Sequence, residues 1–170
     1  MSDDGQGRAA QNAPMPNNDV WGSARTMGKI YELESGGIEA LLHTSLIGRI
    51  ACAGAGELRP YIVPIGYGYD GEAVYFLSGP GRKIEIMRRQ PLVSFEVDHG
   101  EAEDRWQSVV AEGLYEELTD DAAREHALRV LFAEGARPDI RPDAVLFRIR
   151  LTKKSGRYEI PDGDSALPDQ

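Results

Sequence analysis

A short basic segment near the middle of the chain is the first candidate for binding chemistry. Arg82 and Lys83 directly follow the turn Gly79-Pro80-Gly81, and two more arginines follow in the same predicted helix. The start of a helix presents unpaired backbone N–H groups and the positive end of the helix dipole. With two added cationic side chains, this corner could bind a phosphate group. The alternative is a solvated basic helix face that pairs with the acidic surface.

The spacing of the basic segment excludes one well-known phosphate loop. A Walker loop needs G-x-x-x-x-G-K followed by Ser or Thr, and the chain has neither that spacing nor the hydroxyl residue after Lys83. Any phosphate bound here is therefore not held in the manner of a P-loop NTPase.

A proline-containing strand is the second candidate. Residues 59–69 read RPYIVPIGYGY and place Pro60 and Pro64 within a predicted strand. Because proline cannot donate to a β-ladder, this segment is predicted to lie at the edge of a sheet. Such an edge could offer its backbone groups to a planar ligand, and an ordinary edge strand is the alternative.

The sequence gives little support for a metal site, a hydrolase or a reactive cysteine. The three histidines, His43, His99 and His126, lie on separate predicted elements without an acidic pattern that would join them. The spacing therefore predicts no metal site. The serines lack the G-x-S-x-G context of a hydrolase, and Cys52 lies in an apolar strand where an inert core thiol is expected. No catalytic side chain is identified.

Composition restricts the classes of partner. A formal net charge of -9 repels phosphate backbones and anionic lipid surfaces, which disfavours nucleic-acid and membrane binding. The single cysteine excludes an intrachain disulfide and fits a reducing compartment. No segment approaches the roughly 18 apolar residues that a membrane span needs. We expect a cytoplasmic protein that acts on a small molecule.

The chain is long enough for one domain between two tails. Its 170 residues suit a single core. Residues 1–27 are poor in groups to bury, and residues 157–170 are acidic, so both are predicted to be mobile tails. The folded domain is predicted over residues 28–156.

The pattern of elements within this domain predicts a mainly β protein. A hairpin is expected around Asp70-Gly71, a bulge at Gly113, and a helix that is capped by the acidic run from Thr119 and ends at Gly135. Six or so strands and three short helices predict an α+β fold, a Greek-key-like barrel or sandwich with peripheral helices. The missing βαβ alternation disfavours a Rossmann fold.

The order of these segments resembles the pyridoxamine phosphate oxidase-like split-barrel flavoproteins, especially their nitroimidazole-resistance branch. The segments that carry the resemblance are IGRIACAG, the run from residue 59 to residue 98, and WQSVVAEGLYEEL. They cover about residues 30 to 150. The resemblance implies a split β-barrel, a homodimer with FMN at the subunit interface, and transfer of hydride or electrons to or from a small molecule through that flavin.

The resemblance also implies a set of cofactor-binding residues. The strand beside the flavin would comprise Arg59, Tyr61, Ile62, Val63, Pro64 and Ile65, and the next strand would contribute Phe76, Leu77 and Ser78. The phosphate clamp would be Arg82 and Lys83. A further polar contact would come from Trp106 and Ser108.

Departures from the family pattern leave alternatives. True pyridoxamine phosphate oxidases end in an Arg-x-His substrate-binding segment, whereas this sequence ends in RLTKKSGRYEIPDGDSALPDQ. Leu77 stands where related nitroimidazole reductases tend to have histidine. A deazaflavin coenzyme, which needs a longer basic groove, is the alternative cofactor; such a groove would use Arg88, Arg89, Lys153 and Lys154. A flavin-binding module without turnover is the alternative function.

Overall fold

The computed structural model describes residues 28–56, 58–132 and 139–163. Within them the chain forms eight strands and three α-helices. The elements are β1 Lys29–Glu32, α1 Ser35–Thr44, β2 Ile47–Cys52, β3 Tyr61–Gly66, β4 Gly68–Tyr69, β5 Ala73–Ser78, α2 Arg82–Arg89, β6 Leu92–Ala102, β7 Arg105–Glu117, α3 Asp121–Leu131 and β8 Val145–Ile160. The predicted mainly β class is confirmed. Two strands beyond the expected six are β1 and β4, which are too short to show a clear alternation.

All the strands belong to one antiparallel sheet. Its order is β3-β2-β6-β7-β8-β5-β4, and β1 pairs with β8. The register between β7 and β8 shifts between Glu112 and Gly113, where the bulge was predicted. A Cβ atom at Gly113 would lie 2.5 Å from Ile149 Cγ2 and 2.6 Å from the Arg150 carbonyl oxygen. Only glycine permits this close approach of the two strands.

Aromatic packing shows that the sheet curls into a half-barrel. Phe76, Phe95 and Phe147 are fully buried. The ring centroids of Phe76 and Phe147 lie 4.9 Å apart, and those of Phe76 and Phe95 lie 5.6 Å apart. Because β7 and β8 separate β5 from β6 in the sheet, Phe76 can reach Phe95 only if the sheet curves around the core.

The helices cover this core from different sides. α1 and α2 add apolar side chains to the aromatic core: Ile38, Leu41, Leu42, Ile84, Ile86 and Met87. α3 packs outside the sheet through a second cluster that includes Ala127, Tyr75 and Leu146. Asp120, rather than Thr119, caps α3, since its carboxylate accepts from the Ala123 N–H at 3.0 Å. Gly135, the predicted end of this helix, lies outside the described residues.

The predicted hairpin forms with a different partner strand. β4 pairs with β5, and the Asp70 N–H donates to the Ala73 carbonyl across the turn. Gly71 has φ +99°, a conformation that favours glycine. β3, however, pairs with β2 instead of β5 and lies at one end of the sheet. The predicted edge position is therefore confirmed for the strand that contains Pro64, whereas Pro60 lies just before this strand and not within it.

Asp70 connects this turn to α3. Its Oδ1 atom accepts from the N–H groups of Glu72 and Ala73, and its Oδ2 atom contacts the Tyr75 hydroxyl at 2.8 Å and His126 Nε2 at 2.9 Å. Burial raises the pKa of Asp70, but the hydrogen bonds from His126, the two backbone groups and Tyr75 outweigh it and lower the pKa from 3.8 to about 2.

Replacing Asp70 by asparagine is expected to lower the free energy of unfolding by about 1–2 kcal/mol at pH 7. A carboxylate with a lowered pKa contributes stability above its unfolded value, and this stability is lost as pH falls through the folded value. The difference from wild type should therefore shrink from pH 4 to pH 2. Urea unfolding at pH 7 and pH 2.5 measures it, with the exposed neighbour change Glu72→Gln as control. An equal deficit at both pH values would contradict the assignment.

The folded domain extends beyond its predicted end. β8 continues through Ile160 because its last residues pair with β1, with Lys29 opposite Ile160. Residues 1–27 and 164–170 lie outside the described part of the chain, so the predicted tails remain predictions there. None of the helices in the described ranges has the length and apolar character needed to cross a bilayer.

Candidate functional site

The basic turn forms the cationic start of α2. Gly81 precedes this helix with φ +156°, a conformation that side chains rarely adopt. The first helical hydrogen bond runs from the Glu85 N–H to the Gly81 carbonyl at 3.1 Å. The N–H groups of residues 82–84 therefore have no partner within the helix. Together with the side chains of Arg82 and Lys83, they form a corner suited to an anion.

This corner lies against the edge strand. The guanidinium carbon of Arg82 is 4.9 Å from the centroid of the Tyr61 ring, at the start of β3. The two candidate features of the sequence are thus adjacent in the fold, although a hairpin and a whole strand separate them along the chain. A molecule bound by its phosphate at α2 could therefore extend along β3.

The predicted residues of β3 divide between its two faces. Tyr61 and Ile65 pack against the core, and Val63 is half-buried between them. Ile62 and Pro64 are exposed on the outer face. Arg59, just before the strand, is also exposed. A ligand on the outer face would meet Ile62, Pro64 and the edge of the backbone, whereas the other side chains support the strand from inside.

Phe76 does not offer its side chain to a ligand. It is fully buried and stacked on Phe147, so the contact that the resemblance implies would come from its backbone. Leu77 is half-buried and packs against the α3 cluster. Ser78 is half-buried at the end of β5 and donates to the Gly79 carbonyl at 3.0 Å. Of these three, Ser78 lies next to the basic turn.

Trp106 and Ser108 lie far from the basic turn within one chain. The Trp106 indole N–H donates to Glu159 at 2.6 Å, and Ser108 pairs with Arg157. Both lie at the start of β7, whereas the residues in register with β5 through β8 lie at its other end, from Leu114 to Glu117. Nine residues of extended strand span about 30 Å. A single copy therefore does not bring these residues together with Arg82.

A cleft beside β2 was not found from the sequence. It has a volume of about 410 Å³, and its walls include Ala51, Ala53, Pro60, Leu92, Ser94 and Glu112. Its lining also includes Cys52, which pairs with Tyr61 of the edge strand. These residues come from separate segments of the chain that share no sequence motif. The only feature of the sequence that pointed to this cleft was the weak alternation of apolar and polar residues in the strands that form it.

Most cations proposed for a longer basic groove are paired with carboxylates. Arg88 donates to Glu117, Lys153 donates to Glu112 at 3.3 Å, and Lys154 pairs with Glu39. Of these four cations, Arg89 is the one that forms no ion pair within the described ranges. A longer basic groove would therefore have to compete with these carboxylates for three of its four cations.

The histidines lie apart, as their sequence positions suggested. His126 contacts Asp70, and the His43 ring packs on Tyr69 with centroids 4.8 Å apart. His99 is exposed on β6. Among the described residues, no group of three or more His, Cys, Asp or Glu side chains has the geometry of a metal site.

Comparison with known proteins identifies relatives over most of the chain. The family model described as pyridoxamine 5′-phosphate oxidase matches residues 34–158. A FAD-binding protein from Mesorhizobium loti is 37% identical, with 76% of this chain and 97% of that chain covered and a TM-score of 0.63. A candidate 5-nitroimidazole antibiotic resistance protein from Bacteroides thetaiotaomicron is 18% identical, with 80% and 95% covered and a TM-score of 0.63.

A curated relative matches a shorter segment. An uncharacterised protein of Rhizobium meliloti (strain 1021) is 42% identical over 72 residues, which is 42% of this chain and 46% of that protein. The match thus spans about half of the relative's length. Since the family model covers well over half of this chain, and the curled sheet has the split-barrel form, the resemblance seen in the sequence is confirmed. The chain belongs to the pyridoxamine 5′-phosphate oxidase-like family.

Proposed function

We propose that this protein is a flavin-dependent oxidoreductase that binds FMN by its phosphate at the start of α2. The observation that carries the proposal is the contact between Arg82 and Tyr61, which joins a cationic helix start to a proline-containing edge strand. The FAD-binding protein from Mesorhizobium loti, 37% identical over most of this chain, supports a flavin as the ligand.

The distribution of charge favours FMN over a cofactor with a longer anionic tail. One phosphate monoester matches the two cations of Arg82 and Lys83, through charge-assisted hydrogen bonds. A deazaflavin tail or a second phosphate would need further cations, and three of the four candidates already pair with carboxylates.

The chain's own residues bind and orient the cofactor. Arg82, Lys83 and the N–H groups of residues 82–84 hold the phosphate, and the edge of β3 positions the ring. When bound, the flavin supplies the hydride or electron transfer, which requires no protein nucleophile. The proposed reactant is a small molecule other than a vitamin B6 phosphate, because residues 127–170 contain no Arg-x-His segment like the one near the end of those oxidases.

A homodimer completes this proposal. One face of the sheet exposes apolar side chains on the two strands that flank β2, with Ile62 of β3 59% exposed and Leu92 of β6 64% exposed. On the same face, Arg49 bridges Glu96 and Asp98, so its charge is balanced. A second copy on this face would cover the apolar groups and enclose a planar ring. It would also offer its own Trp106 and Ser108 to the site.

Introducing a charge at Ile62 is expected to dissociate the dimer. Ile62→Asp places a carboxylate in the proposed interface, where its desolvation opposes association. Ile30→Asp is the matched control, because Ile30 is 55% exposed on β1, at the opposite side of the sheet from β3. Light scattering at micromolar concentration should give a dimer for wild type and Ile30→Asp and a monomer for Ile62→Asp. A monomeric wild type, or a dimeric Ile62→Asp, would contradict the interface.

The spectrum and turnover of the purified protein test the function. We expect a yellow protein, or a colourless one that binds added FMN, whose flavin is reduced by NAD(P)H and reoxidised by an organic acceptor. Reduction without any reoxidation by acceptors would favour the non-catalytic flavin-binding module. A protein that binds neither FMN nor a deazaflavin would overturn the proposal.

A further inference from the structure

The Tyr61 ring contacts both the protein core and Arg82. Tyr61 is the first residue of β3 and pairs with Cys52 of β2, so the strand pairing fixes the direction of its side chain. The ring is half-buried and packs against the aromatic core. The guanidinium carbon of Arg82 lies over this ring, 4.9 Å from its centroid. The ring is therefore a fixed surface beneath the charge of Arg82.

This contact restricts a side chain that would otherwise be mobile. Arg82 is exposed, and a long exposed side chain samples many rotamers, which costs entropy when a ligand orders it. The quadrupole of an aromatic ring attracts a cation that lies over its face, and this attraction uses no N–H donor. The ring therefore orients the guanidinium without consuming any of the N–H groups that a phosphate accepts from.

The second cation of the corner lacks such a contact. Lys83 is half-buried, and within the described ranges it lies over no aromatic ring. Loss of the Tyr61 ring should therefore disturb Arg82 and leave Lys83 in place.

The aromatic face of Tyr61, rather than its hydroxyl, is the part that acts on Arg82. In the described part of the chain the hydroxyl has no hydrogen-bond partner. Phenylalanine at this position would therefore keep the contact with Arg82 and lose no hydrogen bond.

We propose that Tyr61 is a positioning residue that holds the Arg82 guanidinium ready for a phosphate at the start of α2. It acts through Arg82 and not by touching the flavin ring, so it adds to the preference for FMN over riboflavin. That preference rests on the proposed flavin function, whereas the orientation of Arg82 does not.

Affinities for FMN and riboflavin test this role. Tyr61→Leu keeps apolar bulk against the core and removes the aromatic face. We expect it to weaken FMN binding by about 3- to 30-fold and to leave riboflavin affinity within about two-fold of wild type. Tyr61→Phe should bind both flavins as the wild type does. Equal losses for the two flavins in Tyr61→Leu would overturn the proposal, because the ring would then contact the flavin itself.

Two further backgrounds show whether Tyr61 acts through Arg82. In the Arg82→Ala protein, Tyr61→Leu should change FMN affinity by less than about two-fold, because the group that the ring positions is gone. In the Lys83→Ala protein, the full loss should remain. An equal loss in both backgrounds would contradict the proposed role. Tyr61→Ile, with a β-branched side chain suited to a strand, repeats the test if Tyr61→Leu does not fold.

Inorganic phosphate separates this inference from the flavin proposal. The NMR signal of the Arg82 Nε–H group, assigned by its loss in Arg82→Ala, reports the ring through its ring-current shift and phosphate through titration. We expect Tyr61→Leu to abolish the ring-current shift and to weaken phosphate binding at least about three-fold, and Tyr61→Phe to do neither. If these results hold but the protein binds no flavin, the role of Tyr61 stands and the oxidoreductase proposal fails. If FMN binds as proposed but Tyr61→Leu changes neither affinity, this inference alone fails.

Discussion

Replacing Arg82 and Lys83 together by alanine is expected to weaken FMN binding by about 10²- to 10⁴-fold. Each charge-assisted hydrogen bond to a phosphate contributes about 1.5–3 kcal/mol, so two lost contacts amount to about 3–6 kcal/mol. A factor of ten corresponds to about 1.4 kcal/mol. Titration of FMN, followed by the quenching of its fluorescence, measures the change.

Arg89→Ala is the matched control for this experiment. Arg89 is an exposed cation in the last turn of the same helix, at the end where the dipole does not favour an anion. We expect FMN affinity within about three-fold of wild type for this variant. Since alanine has the highest helix propensity, α2 should persist in both variants, and circular dichroism checks this. An equal loss in both would mean that net charge alone attracts the cofactor.

Replacing Phe76 by alanine is expected to lower the free energy of unfolding by about 3–5 kcal/mol. The side chain is fully buried between Phe147 and Phe95, and its removal leaves a cavity that the curled sheet cannot fill. Urea unfolding of the protein without cofactor measures the loss. Leu46→Ala, at an 82% exposed position, is the control and should change stability by less than about 0.5 kcal/mol.

The conservative variant Phe76→Leu separates a core role from a cofactor contact. Leucine retains most of the apolar volume, so the protein should remain folded. Because the Phe76 side chain points into the core, FMN affinity should stay within about three-fold of wild type. A loss of more than about ten-fold in a folded Phe76→Leu protein would instead show that the side chain contributes to cofactor binding.

Features with a local physical cause could be predicted from the sequence. Pro60 and Pro64 cannot donate to a ladder, and the strand that contains Pro64 is indeed at the edge. Glycine is the only residue type that the close approach of position 113 to Ile149 permits, and the bulge lies at Gly113. The basic run after Gly81 begins a helix, as expected. In each case the residue itself restricts the backbone.

Features that depend on long-range pairing could not be predicted. β5 is buried on both faces, by the core and by α3, so its apolar run gives no alternation to show that Phe76 points inward. Ser108 is separated from the basic turn by most of the length of β7. This separation follows from the register of β7 on β8, which the sequence alone does not give. The pairing of β3 with β2 rather than β5 likewise follows from the curled sheet.

Comparison of FMN with riboflavin tests the central claim most directly. The two ligands share the ring and the ribityl chain and differ in the phosphate, so their affinities for the unaltered protein report the contribution of the corner at Arg82 and Lys83. We predict that FMN binds at least about 100-fold more tightly than riboflavin. Equal affinity of the two ligands would contradict the account.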